Sequence, residues 1–205
     1  MYKEILTENQ KKLLPLIKLF SKEYYLVGGT AIALYLGHRR SIDFDLFSDK
    51  NIKRRAIKAI IEENNYLYKD IIFEAFDQMH LIIDSVKLTF FSFPHRIDAN
   101  INFESVINMP SLLDLAAMKS YALVGRAKWK NYVDLYFILK DYYSLQEISE
   151  RAKEIFQDFF NQKLFREQLS YFDDVDYSED IEYVKRAVRD DEIKNFLINV
   201  ATGPF

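Results

Sequence analysis

The chain has 205 residues and a formal net charge of −3, and its sequence contains no cysteine. Disulfides, thiolate metal sites and cysteine nucleophiles are therefore excluded, and any contact with nucleic acid must rest on a local basic patch because the whole chain is not basic. Hydrophobic residues make up 49% of the sequence, and glycine and proline are few, so we expect one catalytic domain followed by a smaller helical domain.

The N-terminal residues have mixed charges and show no apolar core of signal-peptide length. Because no stretch of about 18 apolar residues occurs, we expect a cytoplasmic protein without a membrane partner. The first predicted helix covers 13–20, where apolar residues recur at the spacing of one helical face. Pro15 lies inside this pattern, which predicts a kink or a helix that restarts there.

A short strand and a glycine turn come next. Residues 24–27 are aromatic and aliphatic, as is typical of a strand, and Gly28 and Gly29 end it. Thr30 is expected to cap a helix that begins at this point. The free N–H groups at such a helix start would form a binding site for an anion, and we expect a phosphate.

Two acids follow on the next predicted strand, which covers 42–47. Because side chains on a strand alternate, Asp43 and Asp45 should project from the same face. Their Cα atoms would be about 6.5–7 Å apart, so both carboxylates could bind one Mg²⁺ or a pair of metal ions. The sequence therefore predicts a metal site beside a phosphate site.

The Gly-Gly-Thr turn, the twelve residues after it and the Asp-x-Asp pair resemble the motif of minimal nucleotidyltransferases of the polymerase-β-like superfamily. Over residues 26–47 the match is similar to the AbiEii-type nucleotidyltransferase toxins of toxin–antitoxin and abortive-infection systems. The resemblance implies an α+β fold, in which a small mixed β-sheet flanked by helices is followed by a C-terminal helical bundle. We place the nucleotidyltransferase core at 1–108 and the helical domain at 109–205.

The residues between the two halves of the motif are basic. Arg39 and Arg40 precede the acidic strand, where a guanidinium could bind a triphosphate through two hydrogen bonds, although at least one of them could simply pair with an acid. The resemblance also assigns Ser41 to the nucleotide-binding set. His38 could approach a phosphate or have a structural role.

A helix is predicted over 50–64, capped by Ser48 or Asp49, and its polar side is rich in lysine and arginine. This side is either a solvated face or a contact for a polynucleotide backbone. Residues 71–93 alternate as two or three strands, with a tight turn at 84–85. Thr89 stands where many polymerase-β-like enzymes have a third carboxylate, which leaves the general base open.

Helices dominate from Pro110 onwards. In the helix predicted over 111–123, the neighbours of Lys119 at three and four residues are apolar, so this lysine either reaches the surface or points into a cleft towards an anion on another element. The resemblance implies that Lys119, Arg126, Lys130 and Asp134 face the nucleotide, whereas a lysine–aspartate pair at i,i+4 is the structural alternative for Asp134.

Asn131 stands where the family often has aspartate, which is a second departure from the family pattern. Further helices are predicted over 145–160, 162–172 and 180–200. The acidic segment 173–180 between the last two is interpreted as a solvated linker, with an antitoxin- or metal-contacting role as the alternative.

These observations predict a nucleotidyltransferase that uses Mg²⁺, with Mn²⁺ as an alternative, to move a nucleoside monophosphate from an NTP to an acceptor hydroxyl. Its proposed catalytic residues are Asp43, Asp45, Lys119 and Asp134, and its nucleotide-binding residues are Gly28, Gly29, Thr30, Arg39, Arg40, Ser41, Arg126 and Lys130. By resemblance, the acceptor is RNA, such as the 3′ end of tRNA, and an antitoxin is the protein partner. A catalytically degenerate nucleotide- or RNA-binding module and a protein-interaction partner are the rival hypotheses.

Overall fold

The computed structural model describes residues 1–204, in which a small β-sheet precedes a group of helices. The N-terminal half contains α1 (Glu8–Leu19), β1 (Tyr25–Val27), α2 (Gly28–Leu36), β2 (Phe44–Ser48), α3 (Arg54–Glu63), β3 (Tyr68–Glu74), β4 (Gln78–Ile83), β5 (Val86–Ser92), β6 (Ile101–Phe103) and β7 (Ile107–Met109). The C-terminal half contains α4 (Leu112–Gly125), α5 (Trp129–Asp141), α6 (Leu145–Phe156), α7 (Gln162–Ser170) and α8 (Asp190–Thr202). The predicted order of a mixed sheet followed by helices is confirmed.

The main sheet has the strand order β1-β2-β5-β4-β3 among the described residues. β2 and β5 are parallel, and the other neighbouring strands are antiparallel. In the observed register Asp45 lies beside Val27 on one side and Thr89 on the other, and Thr89 lies beside His80. β2, which carries Asp45, therefore lies between β1, which leads into the glycine turn, and β5.

The β4–β5 hairpin turns at the predicted place. Asp84 and Ser85 both have positive φ angles, 48° and 66°, as a tight hairpin turn requires. Residues 71–93 accordingly supply three antiparallel strands, of which the first begins a few residues earlier than predicted, at Tyr68.

Several helix starts differ from the prediction. α2 begins at Gly28, so Thr30 lies in its first turn and does not cap it. α3 begins at Arg54 with Lys53 at the cap position, so the predicted capping by Ser48 or Asp49 is wrong. α1 continues through Pro15 without restarting, because a helix long enough to pack against the core tolerates the loss of one backbone bond.

The C-terminal region departs most from the prediction. The helix predicted over 180–200 begins only at Asp190, because residues 176–184 pair with two loops instead of continuing a helix. The buried apolar side chains of both halves form one continuous core, and the division at 108/109 stays a prediction. Within residues 1–204, none of the helices has the length and apolar character needed to cross a membrane.

Candidate active site

The glycine turn and the acidic strand meet at one point. Gly28 has a φ angle of +73°, which favours glycine, and a Cβ atom built there would overlap Oδ2 of Asp45 and lie 3.1 Å from its Cγ. The Asp45 carboxylate therefore lies directly against the N-terminus of α2. The predicted neighbourhood of a helix start and an acid is present in the structure.

Asp43 lies just before β2, where Thr30 contacts its backbone and Lys87 its side chain. The buried Thr30 hydroxyl donates a hydrogen bond to the Asp43 carbonyl and lies 3.0 Å from Ser41 Oγ. Lys87 of β5 forms an ion pair with the side chain, with 2.8 Å between Nζ and Oδ2. Thr30 and Ser41 thus fix the backbone that carries the acid pair.

The Asp45 carboxyl group has a raised pKa. Burial, reinforced by the charge of Asp43, raises its pKa, although Lys87 and a hydrogen bond from Thr89 oppose the shift. A bound cation would relieve this cost, and two carboxylates suit Mg²⁺, which commonly takes one or two protein carboxylates together with substrate phosphates. The described residues contain no cluster of three or more His, Cys, Asp or Glu of metal-site geometry, and binding of a metal ion by Asp43 and Asp45 stays a prediction.

A second charged cluster surrounds Asp134 of α5. Its fully buried carboxylate accepts hydrogen bonds from Arg39 Nε at 2.7 Å and from a terminal Arg39 nitrogen at 2.8 Å. Lys119 Nζ is 2.9 Å from Oδ2. Burial alone would raise the pKa of Asp134, but the charges of Arg39 and Lys119 outweigh it and hold the pKa well below its usual value.

His38 completes this cluster. Its Nε2 is 2.8 Å from Asp134 Oδ1, and because an ionised carboxylate only accepts, Nε2 is the protonated nitrogen. Burial lowers the pKa of His38, against the opposing effect of Asp134, so the ring is neutral at pH 7. His38 therefore has a structural position behind Asp134.

Lys119 reaches into the cleft, as one of the two interpretations of its spacing predicts. Besides Asp134, its Nζ donates to Asn131 Oδ1 at 3.1 Å, while Asn131 Nδ2 donates to the Arg126 carbonyl at 3.1 Å. Burial lowers the pKa of Lys119 although Asp134 counteracts it. Asn131, where the family often has an acid, thus holds the lysine and the end of α4 together.

An apolar cavity of about 250 Å³ adjoins Gly28 and Lys119. Three aromatic rings form one wall, with centroid distances of 5.0 Å for Phe47–Phe91, 5.2 Å for Phe47–Phe93 and 5.9 Å for Phe91–Phe93. Met118 and Tyr121 of α4 also line the cavity. The lining is thus mainly apolar and aromatic, the kind of surface on which planar rings stack.

Comparison with known proteins identifies the family. Residues 17–201 match the model of the nucleotidyl transferase AbiEii toxin of type IV toxin–antitoxin systems. The chain belongs to the AbiEii nucleotidyltransferase toxin family. An uncharacterised protein of Aquifex aeolicus (strain VF5) is 28% identical over 167 residues, which are 78% of this chain and 80% of that protein.

Solved structures show the same fold. MenT4, a nucleotidyltransferase toxin of Mycobacterium tuberculosis H37Rv, superposes with a TM-score of 0.63 at 12% identity over 94% of this chain and 81% of that chain. A structure described as a putative nucleotidyltransferase from H. pylori superposes with a TM-score of 0.58 at 18% identity over 94% of this chain and 92% of that chain. Family and fold together make this AbiEii member a nucleotidyltransferase, a class of enzyme that generally uses divalent metals.

The remaining residues of the predicted AbiEii site are dispersed. Arg39 is buried against Asp134, and Arg40 pairs with Glu182 at 2.5 Å, so both arginines bind acids. Arg126 is exposed at the end of α4, and Lys130 binds Glu179 instead of Asp134. The i,i+4 pair considered for Asp134 does not form, since its carboxylate is directed into the protein.

Two features of this AbiEii site were not predicted from the sequence. Lys87 lies opposite Asp43 only because β2 and β5 are parallel in the observed register. The aromatic wall is formed near the ends of β2 and β5. Its residues Phe47 and Phe91 are 44 positions apart in the sequence. Alternation marks each residue as facing one side of a strand, but only the strand order brings them together.

Proposed function

We propose that this protein is a Mg²⁺-dependent nucleotidyltransferase that moves a nucleoside monophosphate from an NTP to a hydroxyl of an RNA acceptor, such as the 3′ end of tRNA. The observation that carries the proposal is the contact between Gly28, at the start of α2, and the Asp45 carboxylate. A helix N-terminus attracts phosphate oxygens and a carboxylate pair attracts a metal cation. A metal-bound triphosphate satisfies both.

The chain offers a binding site for each part of the nucleotide. The free N–H groups of α2 near Gly28 and Gly29 donate to the phosphates, and the absence of side chains permits close approach. Lys119, which lines the cavity beside Gly28, neutralises phosphate charge. The aromatic cavity beside Gly28 accepts the nucleobase by stacking on Phe47, Phe91 or Phe93.

Asp43 and Asp45 would hold Mg²⁺, which when bound polarises the α-phosphate and stabilises charge on the leaving pyrophosphate. The protein itself contributes mainly orientation and electrostatics. Asp134 acts through its neighbours, because both of its oxygens accept from Arg39 or Lys119 and its pKa is lowered. We assign it the positioning of Lys119, and not the role of general base.

The test uses the purified full chain, each α-³²P-labelled NTP in turn, Mg²⁺ or Mn²⁺, and total bacterial RNA. We expect label to appear in an RNA band with at least one NTP, and the Asp45→Ala variant to lose at least about 100-fold of this activity, as removal of a transition-state electrostatic group does. Asp98→Ala removes an exposed carboxylate of the same type and should retain full activity. Melting curves of both variants show whether the fold is kept.

Retained activity in Asp45→Ala would remove the acid pair from the mechanism. Binding of an NTP, followed by calorimetry, without transfer to any RNA would instead favour a catalytically degenerate module. We further propose that the transfer inhibits growth and that an antitoxin protein relieves it. Induced expression in a bacterial host should slow growth for the parent chain and for Asp98→Ala, and should not do so for Asp45→Ala.

A further inference from the structure

Residues 173–184, named here the acidic strap, contain six acids and no lysine or arginine. Most of them are exposed, as the interpretation of a solvated linker expects, but the segment also forms backbone hydrogen bonds with two loops. At one end Asp176 N donates to the Ala127 carbonyl at 2.8 Å and Trp129 N donates to the Asp176 carbonyl at 3.0 Å. The strap is therefore attached to the loop between α4 and α5.

The other end of the strap is attached to the motif loop. Arg40 N donates to the Glu182 carbonyl at 2.8 Å, and Val184 N donates to the His38 carbonyl at 3.0 Å. The strap thus connects the loop that carries Arg39 and Arg40 to the loop that carries Arg126 and Lys128. Glu179 lies on the span between these two attachments.

Glu179 binds two lysines at once. Lys128 Nζ donates to its Oε1 and Lys130 Nζ donates to its Oε2. The two lysine side chains are 18% and 27% exposed, whereas that of Glu179 is 41% exposed. The lysines thus form a recessed anion site, and a carboxylate on a more exposed segment fills it from outside.

This anion site lies at the edge of the candidate active site. Lys130 is the chain neighbour of Asn131, whose Oδ1 accepts a hydrogen bond from Lys119 Nζ at 3.1 Å. Asn131 and Lys119 both line the cavity beside Gly28. Lys130 and its partner Glu179 therefore lie next to the residues that border the cleft.

We propose that Lys128 and Lys130 bind a backbone phosphate of the acceptor polynucleotide, and that Glu179 occupies this site in the free protein as an internal substitute for that phosphate. The inference rests on the proposed function, because it takes the acceptor to be RNA. A carboxylate and a phosphate both present two oxygens to paired lysines. A polynucleotide can compete with Glu179 because a polyanion gains from many phosphate contacts at once, whereas Glu179 offers a single carboxylate.

The test measures binding of a fluorescein-labelled tRNA transcript by anisotropy at several salt concentrations without NTP, so that no transfer occurs. Glu179→Gln keeps the side-chain shape and removes the charge. Glu182→Gln, which removes a charge from the same strap at the Arg40 pair, is the matched control. We expect Glu179→Gln to tighten RNA binding roughly 3- to 10-fold at low salt, the size of effect expected for one nearby charge, and Glu182→Gln to change it less than twofold.

Salt dependence gives a second readout. In Glu179→Gln, Lys128 and Lys130 should be released from Glu179 and contact phosphates. The slope of log K for RNA binding against log salt should therefore steepen by about 1.4 for single-stranded RNA. The Lys128→Ala, Lys130→Ala double variant should weaken RNA binding and flatten the slope. Equal effects of Glu179→Gln and Glu182→Gln, or weaker RNA binding in Glu179→Gln, would overturn the proposal.

Two further measurements separate this proposal from the proposed function. If Glu179→Gln tightens ATP binding by calorimetry and leaves RNA binding unchanged, the lysines serve the triphosphate and the acceptor assignment is wrong. If RNA binding responds as expected while neither the parent nor the variant transfers any nucleotide, the phosphate site stands and the enzymatic proposal fails. If the parent transfers nucleotide and Glu179→Gln binds RNA as the parent does, the strap proposal is wrong and the proposed function stands.

Discussion

Arg39 and Asp134 form a bidentate ion pair in the interior of the protein, with two nitrogen–oxygen distances of 2.7 and 2.8 Å and a carboxylate that is fully buried. The pair joins the loop before the acidic strand to α5. Because Lys119 binds the same carboxylate, one acid organises two cations that sequence reasoning had assigned to the nucleotide.

Asp134→Ala should destabilise the protein by about 3–5 kcal/mol, because it leaves two buried cations without their shared partner. Urea unfolding followed by circular dichroism measures the change. Asp141→Ala, at the exposed end of the same helix, should stay within about 0.5 kcal/mol. A similar stability in both variants would mean that the cluster contributes nothing to folding.

The same cluster predicts how stability depends on pH. Because the pKa of Asp134 is lowered in the folded protein from a usual value of 3.8, the unfolded chain takes up its proton first as the pH falls. The stabilisation from Asp134 is therefore complete above about pH 4 and is lost as the pH falls towards the folded pKa. Urea titrations from pH 5 to 3 measure how the free energy of unfolding falls with pH. This fall should be smaller for Asp134→Asn than for the parent, and an identical fall in both proteins would contradict the prediction.

Gly28→Ala should impair both folding and nucleotide binding. The positive φ angle costs a non-glycine residue about 1–2 kcal/mol, and the new Cβ would displace the Asp45 carboxylate. Gly125→Ala is the control: its Cβ would meet nothing within 4 Å, and we expect it to be neutral or to stabilise by up to about 1 kcal/mol. Thermal melts and ATP calorimetry compare them; normal ATP affinity in Gly28→Ala would argue against the phosphate seat.

Asp45→Asn should stabilise the fold while abolishing transfer. In the folded protein burial and the adjacent Asp43 make the charged form costly and raise the pKa of Asp45, and the amide removes this cost. A gain of about 1 kcal/mol would raise Tm by roughly 2–4 °C for a chain of this size. Differential scanning calorimetry in EDTA is the measurement, and a lower Tm would show that Asp45 serves the fold more than the site.

Phe91→Leu should raise KM for the NTP with little change in kcat, because the aromatic wall binds the base and takes no part in the chemistry. Loss of one stacking ring is worth about 1–3 kcal/mol, or roughly a 5- to 150-fold change in affinity. Phe76→Leu alters a ring that is 84% exposed and should leave KM unchanged. Equal KM values for both variants would place the base elsewhere.

Much of the fold was predictable because it depends on local patterns. Alternation marked the strands, and the 84–85 turn has the positive φ angles expected of a tight turn. The glycine turn starts a helix as predicted, whereas β2 begins at Phe44, so that Asp45 lies on the predicted strand and Asp43 just before it. The boundaries failed where a long-range contact competes with helix formation. Residues 180–189 have helical spacing, but Tyr183 within them pairs with Arg39, and Asp176, just before them, pairs with Lys128.

The sequence by itself determined the two halves of the motif, the mixed sheet followed by helices and the family, because each depends on residues close together in the chain. Only the tertiary structure decided which charges meet. Lys87 reaches Asp43 through the parallel register of β2 and β5, Asp134 turns inwards to Arg39 and Lys119, and Glu179 reaches two lysines about 50 positions away. The physical reason is that ion pairs depend on distance in space, which sequence spacing does not encode beyond one helical turn or one strand.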